Sequence, residues 1–328
     1  MGPFDGSNAL DGRLSGTPGS HLALIYQGVD EFVARVGGYV RAGLALEEPV
    51  LVLASREKVQ RVRDALGAEA AAVEFADAEV GYHPQARATY ECLDYIHRQQ
   101  GRRSRVVAEQ TLSRRSPMEV SDYLRMESAA NVVYQPYPVE ILCPYDASAL
   151  RSELIEACRR THAELLEHDG ARSSASFVDP RRFIPDSTTV PEPPASAPAI
   201  SCITGADVPA ARHFTRQEVR RAGLPEGVVD DVVIAVSELV ANALTHGRPP
   251  ARLSVYTEHP PGQAPVLVCH VRDDGGVPVD ALAGYAPPMD LGTSGRGLWM
   301  ARQLCDSVEV STADGATHVR VLSLLPAA

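Results

Sequence analysis

A carboxylate and an amide lie one helical turn apart in the segment 232–247, which reads VVIAVSELVANALTHG. If this segment is a helix, its apolar residues gather into one stripe, and Glu238 and Asn242 share a neighbouring polar face. An amide oxygen can ligate Mg²⁺, and a carboxylate can orient or deprotonate an attacking hydroxyl. The pair therefore suits chemistry on a phosphate, although an isolated pair at this spacing is more often a solvated helix face.

Two later segments favour the chemical interpretation. The segment 267–276, LVCHVRDDGG, reads as an apolar strand that ends in two aspartates and two glycines. The segment 292–298, GTSGRGL, is a glycine-rich loop that opens into a helical run. The chain thus presents, in order, an acid-amide helix, a strand that ends at Asp273, and a glycine loop before a helix.

In this order the three segments resemble the N, G1 and G2 boxes of the GHKL ATPases, the fold shared by gyrase, Hsp90, histidine kinases and MutL. The N box SELVANALTHG and a short lid ending in GRGL are similar to those of the anti-sigma-factor serine/threonine kinase branch, which is RsbW-like. The resemblance covers about 200–325. It implies an α+β sandwich, the Bergerat ATPase fold, with ATP and Mg²⁺ as cofactors.

The resemblance implies a role for each matching residue. Asp273 would accept a hydrogen bond from the adenine amine, Asn242 would ligate the Mg²⁺ that bridges the phosphates, and Glu238 would orient the attacking hydroxyl or water. The glycines would leave room for the base and bring backbone N–H groups to the phosphates. The nucleotide-binding residues that the match implies in the two glycine boxes are Gly275, Gly295, Arg296, Gly297 and Leu298.

The G1 box departs from its usual Asp-x-Gly-x-Gly form. Val277 occupies the fifth position, and Gly276 comes one place early. This departure predicts a shifted loop beneath the adenine and weaker nucleotide binding without its loss.

The first half of the chain alternates short apolar strands with helical runs, from HLALIY at 21–26 to VEILC at 139–143. This pattern predicts a parallel sheet with helices on both faces, a doubly wound α/β domain of the Rossmann- or RecA-like kind. No GxGxxG follows the first strand and no GxxxxGK[ST] occurs, which argues against a dinucleotide or P-loop site. The strand ends, where such sheets bind ligands, offer Tyr26, Glu109 and the run CPYD at 143–146.

About 21–146 resembles the MEDS domain, a sensory module of methanogen, methylotroph and dichloromethane-regulator proteins. The likeness lies in HLALIY, in the strand end RVVAEQT, in the helix that carries Glu127 and Asn131, and in CPYD. It implies that this half binds a small-molecule ligand or another signal. The candidate sensory residues are Tyr26, Glu109, Glu127, Asn131, Tyr145 and Asp146.

A structural role is an equally open interpretation for several of these residues. Glu109 has many arginines near it in the sequence and could form an ion pair with one of them. Tyr145 and Asp146 could belong to a strand-end turn whose carboxylate caps the next helix.

At 328 residues the chain is long enough for two domains. A helix is expected over 147–167, and a stretch rich in Pro, Ser and Ala follows it, in which Phe177, Phe183 and Ile184 are available to pin the chain to a domain surface. We predict four regions: a disordered leader at 1–20, a sensory domain at 21–168, a Pro/Ser-rich linker at 169–199 and an ATPase domain at 200–328.

Composition excludes several classes of protein. A net charge of −11 argues against direct nucleic-acid binding through phosphate neutralisation. No apolar run approaches the ~20 residues of a membrane helix, and the first residues do not resemble a signal peptide, so we expect a cytoplasmic protein. The six cysteines show no CxxC spacing, which indicates neither a zinc site nor a disulfide framework but buried or unpaired thiols.

These observations predict an ATP-dependent anti-sigma-type serine/threonine kinase. It would bind a sigma factor, an anti-anti-sigma (STAS-type) protein or both, and phosphorylate a serine of the latter under control of the sensory domain. Dimerisation is common in the family, and a homodimer stays open, although no heptad pattern argues for one.

Three alternatives stay open. The ATPase half could act as a nucleotide-gated binding protein without effective catalysis, or as a degenerate scaffold that binds no nucleotide. A histidine kinase that uses His162 is disfavoured, because its helix runs straight into the proline-rich stretch and lacks the residues that follow the accepting histidine in that family.

Overall fold

The computed structural model describes residues 19–78, 86–275, 279–288 and 296–326. Nearly all of the predicted leader lies outside these ranges. The elements of the first half are β1 (Ser20–Tyr26), α1 (Gly28–Ala45), β2 (Val50–Ala54), α2 (Arg56–Leu66), β3 (Val73–Asp77), α3 (Ala86–Arg98), β4 (Ser104–Ala108), α4 (Pro117–Val133), β5 (Val139–Asp146), α5 (Ser152–Thr161), β6 (Glu164–Glu167), β7 (Gly170–Ser173) and α6 (Pro180–Asp186).

These strands form one sheet of seven strands in the order β3-β2-β4-β5-β1-β6-β7. Strands β1 to β6 pair in parallel, and β7 joins the edge antiparallel to β6. One apolar core lies between the sheet and helices α1 and α2, and a second lies on the opposite face beneath α3, α4 and α5. The predicted parallel sheet with helices on both faces is present, whereas its assignment to the Rossmann- or RecA-like folds stays a prediction.

The structure corrects the expectation for the stretch after β5. The helix predicted over 147–167 is only α5, and the chain then turns at Gly170 into the hairpin β6-β7. Gly170 has a φ of +124°, and the Asp-Gly pair that precedes β7 is a common hairpin signal, which the helical interpretation overlooked. Helix α6 lies inside the predicted linker, where Phe183 and Ile184 are buried in the core beneath α4, as predicted. The domain boundaries stay predictions.

The second half forms a separate sheet of five strands in the order β11-β12-β10-β9-β8, in which every pair is antiparallel. Helices α7, α8 and α9 share one apolar core with a face of this sheet, which is the predicted α+β sandwich. The elements are β8 (Ala199–Cys202), α7 (Val208–Arg221), α8 (Glu226–His246), β9 (Ala251–Glu258), β10 (Val266–Asp273), α9 (Arg296–Leu304), β11 (Ser307–Ala313) and β12 (Ala316–Leu324).

Helix α8 positions the acid-amide pair. Its predicted apolar stripe is buried against the sheet, from Val229 at one end to Ala243 at the other. Because the stripe fixes the rotation of the helix, Glu238 and Asn242 turn away from the sheet and are partly buried. Within the described ranges, no helix is both long and apolar enough to cross a membrane.

The two halves contact each other through buried polar groups. Arg125 of α4 is 2% exposed, and its Nη2 lies 3.2 Å from Asp122 Oδ1 and 3.1 Å from Ser307 Oγ at the start of β11. The Ser307 hydroxyl donates to Asp122 Oδ1 at 3.0 Å. The junction therefore carries an ion pair of the first half, Arg125 with Asp122, that is hydrogen-bonded to Ser307 of the second half.

Candidate nucleotide and sensory sites

A pocket of about 370 Å³ opens between α8, the end of β10 and the start of α9. Its walls are mostly apolar, with Asn242 and Asp273 as polar groups among them. A few polar groups in an apolar pocket are typical of small-molecule sites. The lining residues include Leu239, Asn242, Asp273, Val279, Leu298 and Thr317.

Asp273 ends β10 with a side chain that is 5% exposed. Its Oδ1 accepts a hydrogen bond from the Gly275 backbone N–H at 2.8 Å. Burial raises the pKa of Asp273, while the backbone N–H groups of Gly275 and Arg248 act in the opposite direction. Thr317 lies directly across from it on β12. The site therefore presents a carboxylate acceptor, held by backbone, to any N–H donor that enters the pocket.

Glycines allow the surrounding backbone to approach these polar groups. A Cβ atom on Gly247 would lie 2.2 Å from Asp273 Oδ1, and one on Gly275 would lie 2.4 Å from the same oxygen. A Cβ atom on Gly297 would lie 2.4 Å from Asn242 Nδ2. The structure thus brings Gly275 and Gly297, which were predicted separately, to the two polar groups of one pocket.

The catalytic candidate Glu238 lies one turn before Asn242 on α8, and its Cβ is 3.2 Å from the position a Gly297 Cβ would occupy. Among the described residues, the Glu238 carboxylate has no hydrogen-bond or ion-pair partner. Arg296 begins α9 with an exposed side chain. Gly295, Gly276 and Val277 lie outside the described residues, so the shifted G1 loop stays a prediction.

The six sensory candidates separate into two groups. Tyr26, Glu109 and Asp146 lie at the carboxyl ends of the parallel strands. Glu109 and Asp146, together with part of Tyr145, line a pocket of about 360 Å³ there. Lys58 of α2 joins them, because its Nζ lies 2.5 Å from both Glu109 Oε1 and the Tyr26 hydroxyl. The Tyr26 hydroxyl also donates to Glu109. Burial raises the pKa of Glu109, and Lys58 acts against that rise.

The contacts of this first group decide the structural roles that the sequence left open for Glu109 and Asp146. The partner of Glu109 is Lys58 and not one of the arginines near it in the sequence. Asp146 Oδ1 accepts from the Ser148 N–H at 2.9 Å and from the Gly28 N–H at 3.2 Å, so it stabilises the predicted strand-end turn. It does not cap the next helix as predicted, because the N-cap residue of α5 is Arg151.

The second group lies on the opposite face of the sheet, where Glu127 and Asn131 of α4 pack over Tyr145 of β5. The Tyr145 hydroxyl donates to Glu127 Oε2 at 2.9 Å. Asn131 has a structural role: its Nδ2 donates to the Thr161 carbonyl at 2.7 Å and its Oδ1 accepts from the Ala163 N–H at 3.3 Å. The Tyr145 side chain is therefore hydrogen-bonded to the Glu127 carboxylate and does not belong to the strand-end turn.

Comparison with known families identifies both halves. Residues 20–163 match the MEDS family, the methanogen/methylotroph, DcmR sensory domain, and residues 204–322 match the histidine kinase-like ATPase domain. The chain joins a MEDS domain to a histidine kinase-like ATPase domain. No curated protein matches the chain.

Solved structures also match the chain. One is the crystal structure of the RsbU and RsbW domains of Rv1364c from Mycobacterium tuberculosis, with 18% sequence identity and a TM-score of 0.28. The match covers 39% of this chain and 32% of that chain, so this chain spans about a third of the solved chain's length.

In the MEDS domain, the sequence did not single out Lys58, His21 or Cys143 as members of a site. His21 and Cys143 stand within HLALIY and CPYD, the segments that carry the family resemblance, and this position is the signal that could have found them. His162, considered above as a phosphate acceptor, is 0% exposed and lies 3.0 Å from Glu127 Oε2. Its burial argues against a histidine kinase that uses this residue.

Proposed function

We propose that this protein is a cytoplasmic, ATP-dependent serine/threonine protein kinase of the anti-sigma type, controlled by its MEDS domain. The observation that carries the proposal is the convergence of Asn242 on α8, Asp273 on β10 and the first turn of α9 at one pocket. Glu238 lies one turn before Asn242 on α8 and, like Asn242, faces Gly297 in that first turn. All of them lie within the residues that match the histidine kinase-like ATPase domain.

The residues of the pocket fit a purine nucleotide. The volume of about 370 Å³ lies in the range of small-molecule sites, and the apolar walls suit a base. Asp273 at its floor would accept from the exocyclic amine of adenine, whereas guanine presents a carbonyl there and would be rejected. Gly275 leaves room for the base beside this carboxylate.

The polar face of α8 fits the phosphate end of the nucleotide. Asn242 would ligate Mg²⁺, Gly297 and the N-terminus of α9 would receive the phosphates, and Glu238 would orient the acceptor hydroxyl. ATP with Mg²⁺ supplies the phosphoryl group, and its transfer depends mainly on positioning and charge stabilisation. The Glu238 carboxylate, which has no partner among the residues that the structure describes, is available to a protein substrate that approaches this face.

The choice of partner rests on the N box SELVANALTHG and the lid end GRGL. Their resemblance to the anti-sigma kinase branch supports a serine of an anti-anti-sigma (STAS-type) protein as phosphate acceptor and a sigma factor as the competing partner. A homodimer is compatible with this assignment.

Control by the MEDS domain would act through the segment 279–285. Val279, Asp280 and Ala283 line the nucleotide pocket, while Tyr285 is 3% exposed and belongs to the apolar core of the MEDS side. Arg181 Nη1 lies 2.5 Å from Asp280 Oδ1. A change at α4 or α6 would therefore reach the nucleotide through a short stretch of chain that contacts both.

The first test is a calorimetric titration of Mg²⁺-ATP into the full chain. Asp273→Asn should weaken binding by roughly 10- to 100-fold, because it removes the charged acceptor of a buried hydrogen bond. Asp274→Asn is the matched control, since its side chain is 57% exposed and pairs with Arg272, and it should bind like wild type. Wild-type protein that binds no ATP would overturn the proposal in favour of the degenerate scaffold.

A second test separates the kinase from a nucleotide-gated binding protein. Labelled phosphate from ATP should pass to a serine of a STAS-type protein, and Glu238→Gln should abolish the transfer while Mg²⁺-ATP binding persists. A partner that is captured in the presence of ATP and stays unphosphorylated would instead establish the gated binder.

A further inference from the structure

Four side chains with metal-binding atoms meet in the MEDS domain, beneath α4. Their donor atoms all lie within 4.8 Å of one another. They come from four separate parts of the chain: the start of β1, the middle of α4, the middle of β5 and the residue after α5. The four residues are His21, Glu127, Cys143 and His162.

The distances between the donor atoms suit one shared ion. His21 Nε2 lies 3.3 Å from Cys143 Sγ and 3.3 Å from Glu127 Oε2, and His162 Nε2 lies 3.0 Å from the same oxygen. A tetrahedral ion with bonds of ~2.0–2.3 Å to nitrogen, oxygen and sulfur separates its ligands by roughly 3.3–3.8 Å. The cluster is therefore already close to the spacing of a coordination sphere.

His162 shows that the cluster is short of a cation. Its Nδ1 lies 2.8 Å from the Cys158 carbonyl oxygen, which can only accept, so Nδ1 carries the proton. In neutral His162 the Nε2 lone pair then faces the Glu127 carboxylate. Nε2 is buried and has no hydrogen-bond partner in the described structure, despite its closeness to that oxygen. Two acceptors at 3.0 Å need a positive charge between them.

A second proton on His162 would satisfy one pair of atoms, but the cluster offers four donors. Cys143 and His21 turn their Sγ and Nε2 toward the same point, and both residues are at least 95% buried. Two imidazoles, a thiolate and a carboxylate form a donor set for a divalent first-row metal. The two negative ligands would neutralise a dication, which a buried site requires.

The surroundings hold the ligands as outer partners do in metal sites. The Cys158 carbonyl fixes the tautomer of His162, and the Tyr145 hydroxyl, which is 2.8 Å from the Tyr123 hydroxyl, donates to Glu127. Such partners orient the ligands and set their basicity. A cavity of about 40 Å³ beside His21, Glu127 and Cys143 has room for about one water-sized additional ligand.

We propose that His21 Nε2, Glu127 Oε2, Cys143 Sγ and His162 Nε2 bind one divalent first-row transition metal ion, such as Zn²⁺, in the MEDS domain. The ion would tie α4 to β1 and β5. Since α4 also carries Arg125, which contacts Ser307 of the ATPase half, metal binding would change the position of α4 at the contact between the two halves. The assignment is independent of the proposed kinase activity.

The test uses the full chain, purified under reducing conditions and stripped with a chelator, and Co²⁺ as the spectroscopic probe. Wild-type protein should take up one Co²⁺ per chain, with the visible bands of a tetrahedral site and the near-ultraviolet band of thiolate-to-cobalt charge transfer. Zn²⁺ should displace the Co²⁺. Folded wild-type protein without these bands would overturn the proposal, whatever its ATP binding.

Variants locate the site. Cys143→Ser should lose the charge-transfer band, whereas Cys92→Ser should keep it, because Cys92 is 4% exposed and lines the same small cavity without belonging to the cluster. His21→Gln should weaken Co²⁺ binding by more than about 100-fold. Circular dichroism would check that each variant is folded, and Zn²⁺ should raise the unfolding temperature only of wild type and Cys92→Ser. Folded ligand variants that bind Co²⁺ like wild type would refute the assignment.

Discussion

Glu127 of the MEDS domain and Glu238 of the ATPase domain both stand in the middle of a long helix, yet their surroundings differ. Glu127 accepts from Tyr145 and lies within 3.3 Å of two imidazoles. Burial by itself would raise the pKa of Glu127, but the two imidazoles beside it lower the value well below the ordinary range. Glu238 is partly buried and, among the described residues, without a partner.

Glu127 is thus a carboxylate whose partners lie within the fold, whereas Glu238 is a carboxylate that can bind an incoming molecule. A partnered, buried carboxylate contributes to stability, and its removal is expected to unfold or loosen its surroundings. An unpartnered carboxylate at a pocket contributes to function and little to stability. The predictions below test that division, from the largest expected effect to the smallest.

The two glutamates give the largest expected difference near neutral pH. Glu127→Gln in metal-free protein should lower the free energy of unfolding by about 3 kcal/mol, because a neutral amide replaces the carboxylate that accepts from Tyr145 and lies beside two buried imidazoles. Glu238→Gln should change it by less than about 0.5 kcal/mol. Urea unfolding followed by circular dichroism measures both values. Equal losses in the two variants would remove the distinction between the sites.

Close packing around Asp273 gives the second prediction. Gly247→Ala should lower the free energy of unfolding by about 1–3 kcal/mol and weaken ATP binding, because the new methyl group would lie 2.2 Å from Asp273 Oδ1 and 2.6 Å from the Ala243 carbonyl oxygen. Gly227→Ala at the other end of α8 meets no atom within 4 Å and should stabilise the helix by ~0.5–1 kcal/mol. Thermal unfolding and calorimetry measure the two effects. An unchanged Gly247→Ala variant would mean that the backbone is not held against this carboxylate.

A histidine pair in the ATPase half, His270 and His318, predicts how the stability of this half depends on pH. His270 Nε2 lies 3.1 Å from His318 Nδ1, and burial, His318, Arg320 and Arg272 lower the pKa of His270 to about 3. The unfolded chain binds this proton near pH 6.5, so the full stability is present above that pH and falls as the pH drops from 6.5 toward 3.

The loss from His270 should approach about 1.4 kcal/mol for each pH unit in this window. Urea unfolding at several pH values measures it, with His270→Gln as the comparison. The variant should show a shallower decline. Parallel profiles for the two proteins would show that His270 takes up its proton in the folded state.

The junction between the halves gives the smallest effect. Ser307→Ala removes the hydroxyl that bridges Arg125 and Asp122, and should lower the free energy of unfolding by about 1 kcal/mol. Thr312→Ala on the same strand is the control, because that side chain is exposed. A larger shift of ATP affinity in Ser307→Ala than in Thr312→Ala would link this contact to the nucleotide pocket, and equal affinities would argue against such a link.

Much of the ATPase half could be predicted from the sequence. Residues four apart on a helix share a face, so local patterns predicted that Glu238 and Asn242 lie side by side and that Asp273 ends a strand. The resemblance to the GHKL boxes then implied a role for each of the three. The family match confirmed the kind of domain, while the role of each residue stays a prediction. The hairpin β6-β7 was missed because a turn signal at Gly170 was outweighed by helix-forming neighbours.

By itself, the sequence determined most of the local elements, because periodicity and strand-end residues depend on neighbours along the chain, and its motifs indicated the two domain types by their resemblance to known families. Only the tertiary structure brought His21 next to Cys143, 122 residues away, and placed both beside Glu127 and His162. It also directed the Tyr145 hydroxyl to Glu127, whereas the adjacent Asp146 accepts from the backbone of Gly28 and Ser148. Successive residues of a strand point to opposite faces of a sheet, and which helix covers each face is decided by packing.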